Sequence, residues 1–148
     1  MWEKTGMTQR VKEFSPQYLD QVVALHREVL EGWSLQGLKE CLDSGLYRSF
    51  VTVDAEDIAV AFCAFTVVDV GELVFVCTHK NQRRKGIAYE MLKGALETLE
   101  EKTIVLEVRK ENLGAQKLYE KLGFKIVGVR KSLYQNPTDD GIVMQLER

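Results

Sequence analysis

The chain has 148 residues, 45% of them hydrophobic and 28% charged, and a formal net charge of -2. That size and balance fit one globular domain and exclude disordered and fibrous architectures. A slightly acidic chain is also unsuited to blanketing nucleic acid, which takes many Lys and Arg contacts to phosphate, and no stretch approaches the ~18 apolar residues of a membrane span.

The three cysteines, Cys41, Cys63 and Cys77, are odd in number, lack C-x-x-C spacing and sit in apolar segments. They read as reduced core residues of a cytoplasmic protein. The opening MWEKTGMTQR has no apolar run after a basic start, so no targeting segment is expected. With two prolines, no repeat and no low-complexity tract, residues 1–148 are expected to fold as a single domain.

A short polar strand is predicted over roughly residues 8–14. Ser15-Pro16 then supplies an N-cap with proline at the first helical position. The following helix carries Leu19, Val22, Val23, His26, Val29 and Leu30 on one face. Ser34 opens a second, short helix with Leu35, Leu38, Cys41 and Leu42 inward and Gly45 as its stop. The period then changes. Residues 48–53 and 58–70 form a hairpin around the acidic turn Asp54 to Asp57, and after Gly71 a third strand, 72–78, runs into the basic segment HKNQRRK.

Past Gly86 the pattern is helical, with Ile87, Met91, Leu92, Ala95 and Leu99 on one side. Residues 102–108 form a nearly continuous apolar run broken by a single carboxylate, Glu107, as in a central strand carrying a functional group. Asn112 begins a helix whose inward stripe is Ala115, Leu118, Tyr119 and Leu122, and Gly123 ends it. Strands at 125–134 and 141–146 enclose the loop 135–140. The expected order is β-α-α-β-β-β-α-β-α-β-β.

Arg83-Arg84-Lys85-Gly86-Ile87-Ala88 lies where a buried strand gives way to an amphipathic helix. A helix start exposes unpaired N–H groups, and small residues at Gly86 and Ala88 let a pyrophosphate approach them. A solvated basic loop would use the same letters, but not a strand before and a helix after. This RRKGIA segment resembles the [QR]-x-x-G-x-[GA] signature of the GNAT superfamily of N-acetyltransferases. EVRKENLGAQKLYEKLGF is similar to the second half of that family, in detail to its bacterial ribosomal-protein alanine N-acetyltransferase branch.

The resemblance covers roughly residues 14–148 and implies an α/β (α+β) acyl-CoA N-acyltransferase fold, a mixed central sheet of about seven strands flanked by about four helices. It implies acetyl-CoA as cosubstrate and no metal. The backbone of Val76, Cys77 and Thr78 would pair with the pantetheine arm, and Arg83, Arg84, Lys85, Gly86, Ile87, Ala88 and Tyr89 would wrap the pyrophosphate. Departures are His79-Lys80, where relatives often carry an acidic residue and proline, and Ala88, where glycine is commoner.

Acetylating an amine takes a base for the ammonium and an acid for the departing thiolate. The resemblance assigns these to Glu107 and Tyr119, twelve positions apart as in the alanine branch. A buried carboxylate there would have its pKa raised. The bland alternatives are an ion pair of Glu107 with Arg109 or Lys110 and ordinary core packing of Tyr119. Asn112 reads as a helix N-cap, and by resemblance lies beside the cofactor arm. His26 reads as a packed core residue.

Trp33 and Tyr134 match peptide-contacting positions of the branch, with Leu133 replacing a second tyrosine; Trp33 is equally readable as a core anchor. The acceptor implied is a protein N-terminal α-amine, with a ribosomal-protein N-terminal alanine as the specific expectation, in a monomer or homodimer binding neither nucleic acid nor membrane. Two alternatives stay open: a small-molecule amine or polyamine acetyltransferase, which predicts a closed acidic pocket near Glu107, and a CoA-binding module without turnover.

Overall fold

The computed structural model describes residues 2–3, 9–29, 32–83 and 85–148. The expected strand start at Thr8, and Leu30, Glu31 and Arg84, lie outside them. The chain runs β1 (Trp2–Glu3), β2 (Arg10–Glu13), α1 (Leu19–His26), α2 (Leu35–Asp43), β3 (Tyr47–Val53), β4 (Ala59–Val67) and β5 (Gly71–Thr78). It continues through α3 (Ile87–Thr98), β6 (Thr103–Arg109), α4 (Leu113–Lys121), β7 (Lys125–Tyr134) and β8 (Asp139–Glu147). The expected strands and helices are all present, and the two-residue β1 adds an eighth strand at the sheet edge.

The sheet order is β1-β2-β3-β4-β5-β6-β8-β7, antiparallel except between β5 and β6. Alternation sends β4's side chains to both faces: Ala61, Cys63 and Phe65 join a core with α3, α4 and β6, while Phe62 and Ala64 join a core with α1 and α2. All three cysteines are buried free thiols.

α1 differs from the sequence expectation at both ends. Its first turn, Pro16–Tyr18, is a 3-10 turn with no side-chain cap bond from Ser15, and the helix stops at His26, a turn short of Leu30. After His26 the backbone passes into turns, with the Glu28 N–H donating to the Leu25 carbonyl and the Val29 N–H to the His26 carbonyl. The chain folds back so tightly at Gly32 that a Cβ there would lie 2.1 Å from the His26 carbonyl oxygen. In α2, Ser34 caps by accepting the Gly37 N–H at 3.1 Å; Leu38 and Cys41 are buried, but Leu35 is exposed rather than inward, and extended Ser44, not Gly45, ends the helix. Arg148 closes the fold by donating to the carbonyls of Leu96, Leu99 and Glu101 at the end of α3.

Candidate active site

β5 and β6 pair only at Gly71–Ile104, Glu72–Val105 and Leu73–Leu106. At that point β5 gains an extra residue. Phe65 of β4 pairs with Leu73 and Ala64 with Phe75, which leaves Val74 as a bulge. The extra residue inverts the alternation: Leu73 faces the α3/α4 core, but Phe75 and Cys77 face the α1/α2 core and Val76 turns back to the first. Beyond Leu73 the two parallel strands separate, and backbone on the β6 side of β5 borders open space.

Two cavities fill the split. A groove of about 710 Å³ is lined by Val76, Cys77, Thr78, Arg83 and Gly86 to Tyr89 on one side and by α4, with Lys117 and Lys121, on the other. A second, open cleft of about 280 Å³ is lined by Phe75, Glu107, Arg109, Tyr119 and Tyr134. Val76 and Asn112 border both, so the two form one continuous path through the sheet.

At the groove end, Gly86 adopts φ 75, a left-handed conformation that costs an L side chain about 1–2 kcal/mol. The first bond of α3 runs from the Glu90 N–H to the Gly86 carbonyl, so the amides of Ile87, Ala88 and Tyr89 have no intrahelical acceptor. Together with the positive end of the helix dipole and Arg83, Lys117 and Lys121, they make an anion cradle. Lys85 is exposed beside it. Lys121 also lies 4.9 Å from the Tyr89 ring centre, linking α4 to α3 across the groove.

In the cleft, Tyr119 is buried, its ring against Phe124, and its hydroxyl has no hydrogen-bond partner among the described residues. Burial, with smaller contributions from Tyr134 and Cys63, pushes its pKa up to about 12. Glu107 alternates away from buried Leu106 and Val108, so it reaches the cleft from the opposite face of β6. It is not the buried carboxylate expected. It is half-buried, and one guanidinium nitrogen of Arg130 donates to both its oxygens, at 3.1 and 2.9 Å. Nor is its partner Arg109 or Lys110. Arg109 donates to the Pro137 and Gln135 carbonyls at 2.8 and 2.9 Å and lies 4.6 Å from the Tyr134 ring centre. Gly141 of β8, opposite both Arg109 and Arg130, leaves room that Leu133 fills.

Asn112 caps α4 by accepting the Ala115 N–H at 3.1 Å while bordering both cavities. Trp33 is not among the residues lining either cavity. It packs on His26, Tyr47 and Phe62, and its ring lies 5.5 Å from that of Phe75, which does line the cleft. Sequence reading missed Arg130, Lys117 and Lys121. The two lysines, four apart on α4, were signalled by helical spacing; Arg130 was not.

A basic groove at a helix start and a cleft holding a carboxylate and a phenol, joined through one split sheet, fit a group-transferase domain. Residues 11–124 match the Acetyltransferase (GNAT) family, to which the chain belongs, and the domain is a GNAT-type N-acetyltransferase. A chloroplastic GCN5-related N-acetyltransferase 6 of Arabidopsis thaliana is 37% identical over 78 residues, 51% of this chain and 26% of that one. A Bacillus subtilis protein provisionally named as a ribosomal protein bS18-alanine N-acetyltransferase is 24% identical over 116 residues, 76% of this chain and 77% of that one. The chain thus spans about a quarter of the first and three quarters of the second. The crystal structure of the ribosomal-protein-S18-alanine N-acetyltransferase from Escherichia coli superposes with a TM-score of 0.81 at 25% identity, covering 94% of this chain and 93% of that one. Among the described residues no helix is long and apolar enough to cross a membrane.

Proposed function

We propose that the protein is an acetyl-CoA-dependent N-acetyltransferase acting on a peptide or protein N-terminal α-amine, with a ribosomal-protein N-terminal alanine as the first acceptor to try. The observation that carries the peptide reading is charge. The cleft is open, its lining holds one carboxylate, Glu107, and one guanidinium, Arg109, and Glu107 is already paired with Arg130 from outside the lining. A polyamine site needs the reverse, an enclosed acidic pocket, because every acceptor nitrogen is cationic.

Acetyl-CoA fits the groove. The left-handed Gly86, the free amides of Ile87 to Tyr89 and the cations Arg83, Lys85, Lys117 and Lys121 suit a pyrophosphate; the open edge at Val76 to Thr78 and Asn112 at the junction suit the pantetheine arm. Bound there, it supplies an activated acetyl group and leaves as a thiol. Glu107 has lone pairs beyond those Arg130 uses, and accepts the proton an acceptor ammonium must lose, directly or through a water. Tyr119, with its pKa near 12, stays a protonated phenol and donates at its hydroxyl to a leaving sulfur. The nitrogen loses two protons overall, one released through Glu107 and one balancing that from Tyr119. Amides on the open side of β5 polarise the carbonyl oxygen. Tyr134 borders the acceptor, and Trp33 acts through Phe75.

Cys77 supports direct transfer. It lines the groove, but burial and then the Glu28 charge push its thiol up to about 12, far from the thiolate a covalent intermediate requires.

The test is to incubate the protein with acetyl-CoA and peptides of differing N-termini, alongside free lysine and spermidine, and follow thiol release. Peptides are expected to turn over. Turnover of spermidine with none of any peptide would sink the reading, and unchanged biological function in a Glu107→Gln, Tyr119→Phe double variant would favour a non-catalytic module.

A further inference from the structure

We infer that Gln116 is a positioning residue for the carrier: from α4 it fixes the turn that joins β6 to α4, and through that turn it holds Asn112 at the junction of the two cavities. This rests on the reading of the groove as the acetyl-CoA site.

Gln116 lines neither cavity and is 9% exposed, so its amide is buried where an unpaired one would be costly. Nε2 donates both its hydrogens to the turn, to the Lys110 carbonyl at 2.8 Å and the Arg109 carbonyl at 3.1 Å. The Arg109 carbonyl also accepts the Asn112 N–H at 3.0 Å, and the Asn112 carbonyl accepts the Gln116 N–H at 3.2 Å, so Gln116 grips Asn112 from both sides. On its other side the turn is tied to the last hairpin, the Lys110 N–H donating to the Asp140 carbonyl at 3.0 Å and the Glu111 N–H to the Asp139 carboxylate at 3.1 Å. The sequence Arg109-Lys110-Glu111-Asn112 has no proline or glycine to dictate a turn, so these outside bonds hold its shape.

Placement matters at Asn112 because the two ends of its amide have two tasks. Oδ1 caps α4 by accepting the Ala115 N–H at 3.1 Å, and that bond leaves Nδ2 as the donor at the junction, where the residue lines both cavities. A hydrogen bond from Nδ2 to a carbonyl of a bound pantetheine arm tolerates little displacement, since its strength falls steeply with poor angle and distance. Without the two Gln116 donors the turn is held from the hairpin side alone, and a shift of the turn carries Nδ2 with it. Glu107 in β6 and Tyr119 in α4 stand outside the turn, so the loss falls on carrier binding and not on the groups that move protons.

Gln116→Met keeps the length of the side chain and removes both donors. Its affinity for CoA, read by calorimetry, is expected to fall by roughly five- to tenfold, the size of one well-placed hydrogen bond, with kcat at saturating acetyl-CoA within a few-fold of wild type. Gln116→Glu gives a readout that a structural role does not move. A carboxyl there donates only when protonated, and burial beside two carbonyl oxygens favours the protonated form. The charged groups around the turn, Arg109, Lys110, Glu111, Asp139 and Asp140, are common to wild type and variant, so the ratio of their CoA dissociation constants isolates the introduced carboxyl. That ratio is expected to shrink as pH falls from about 8 to about 6. Wild-type CoA affinity in Gln116→Met, with only its melting temperature changed, overturns the inference, and so does a ratio in Gln116→Glu that stays flat with pH. Both outcomes leave the reading of the groove intact, whereas a wild type that does not bind CoA removes that reading as well.

Discussion

The imidazole of His26 accepts the backbone N–H of Trp33 at 2.7 Å through Nδ1 while its ring stacks on Phe75, centroids 4.5 Å apart. One side chain thus holds both the turn into α2 and a wall of the cleft that contains Glu107 and Tyr119. Because Nδ1 accepts, the ring is neutral, and Nε2 is buried without an acceptor among the described residues.

Burial lowers the His26 pKa to about 4 from the ordinary 6.5. The sign follows from linkage. The unfolded chain takes up a proton below about pH 6.5 and the folded one does not, so stability is whole above that value and falls as pH drops toward 4. The loss attributable to this residue is at most about 3 kcal/mol. Urea midpoints measured from pH 7.5 to 4.5 for wild type and His26→Phe should converge as pH falls. Parallel curves would show that His26 is not the titrating group.

Tyr119 gives a different pH expectation. A phenol at about 12 remains a donor through the usual assay range, so the rate should not decline between about pH 8 and 10 on its account. Tyr119→Phe keeps the packing on Phe124 and removes only the hydroxyl. It should lower kcat by about 10²–10⁴-fold with little change in acceptor KM, and Glu107→Gln should act on kcat similarly. Wild-type kcat in Tyr119→Phe would remove it from the chemistry.

Gly86→Ala probes the cradle alone. A side chain at φ 75 costs about 1–2 kcal/mol and crowds the amides that face the anion. CoA affinity, read by calorimetry, should fall by at least about tenfold, the larger part of it from lost approach rather than lost stability. Unchanged affinity in a folded Gly86→Ala protein would place the pyrophosphate elsewhere.

Much of this layout was legible because it is local. Gly86 before an amphipathic run, Asn112 before Leu-Gly-Ala-Gln, and a lone glutamate in an apolar strand each mark an element and a position that lines a cavity. The strand split was not legible: it depends on Val74 being one residue too many for its partner strand, and neither Leu73 nor Phe75 differs in kind from any strand residue. The partner of Glu107 was equally hidden. Arg130 lies 23 positions away on a strand that reaches β6 only through β8. The same holds for Arg148, whose three carbonyl partners appear only once α3 and the chain end meet.

On the proposed reading, a change at Arg109 is expected to separate acceptor binding from chemistry. It borders the cleft without touching Glu107, and its fork holds the carbonyls of Gln135 and Pro137 while its face covers the Tyr134 ring. Arg109→Met keeps a long apolar stem but loses two charge-assisted hydrogen bonds and a cation–π contact, on the order of 2–4 kcal/mol of local order in the β7–β8 hairpin. Tyr134 is then no longer fixed at the acceptor wall, whereas Tyr119 and the Gly86 turn are untouched. Steady-state kinetics should show acceptor KM rising about tenfold or more, with the KM for acetyl-CoA unchanged and kcat at saturating peptide within a few-fold of wild type. A fall in kcat with acceptor KM unmoved would mean that Arg109 serves the reacting groups and not the hairpin.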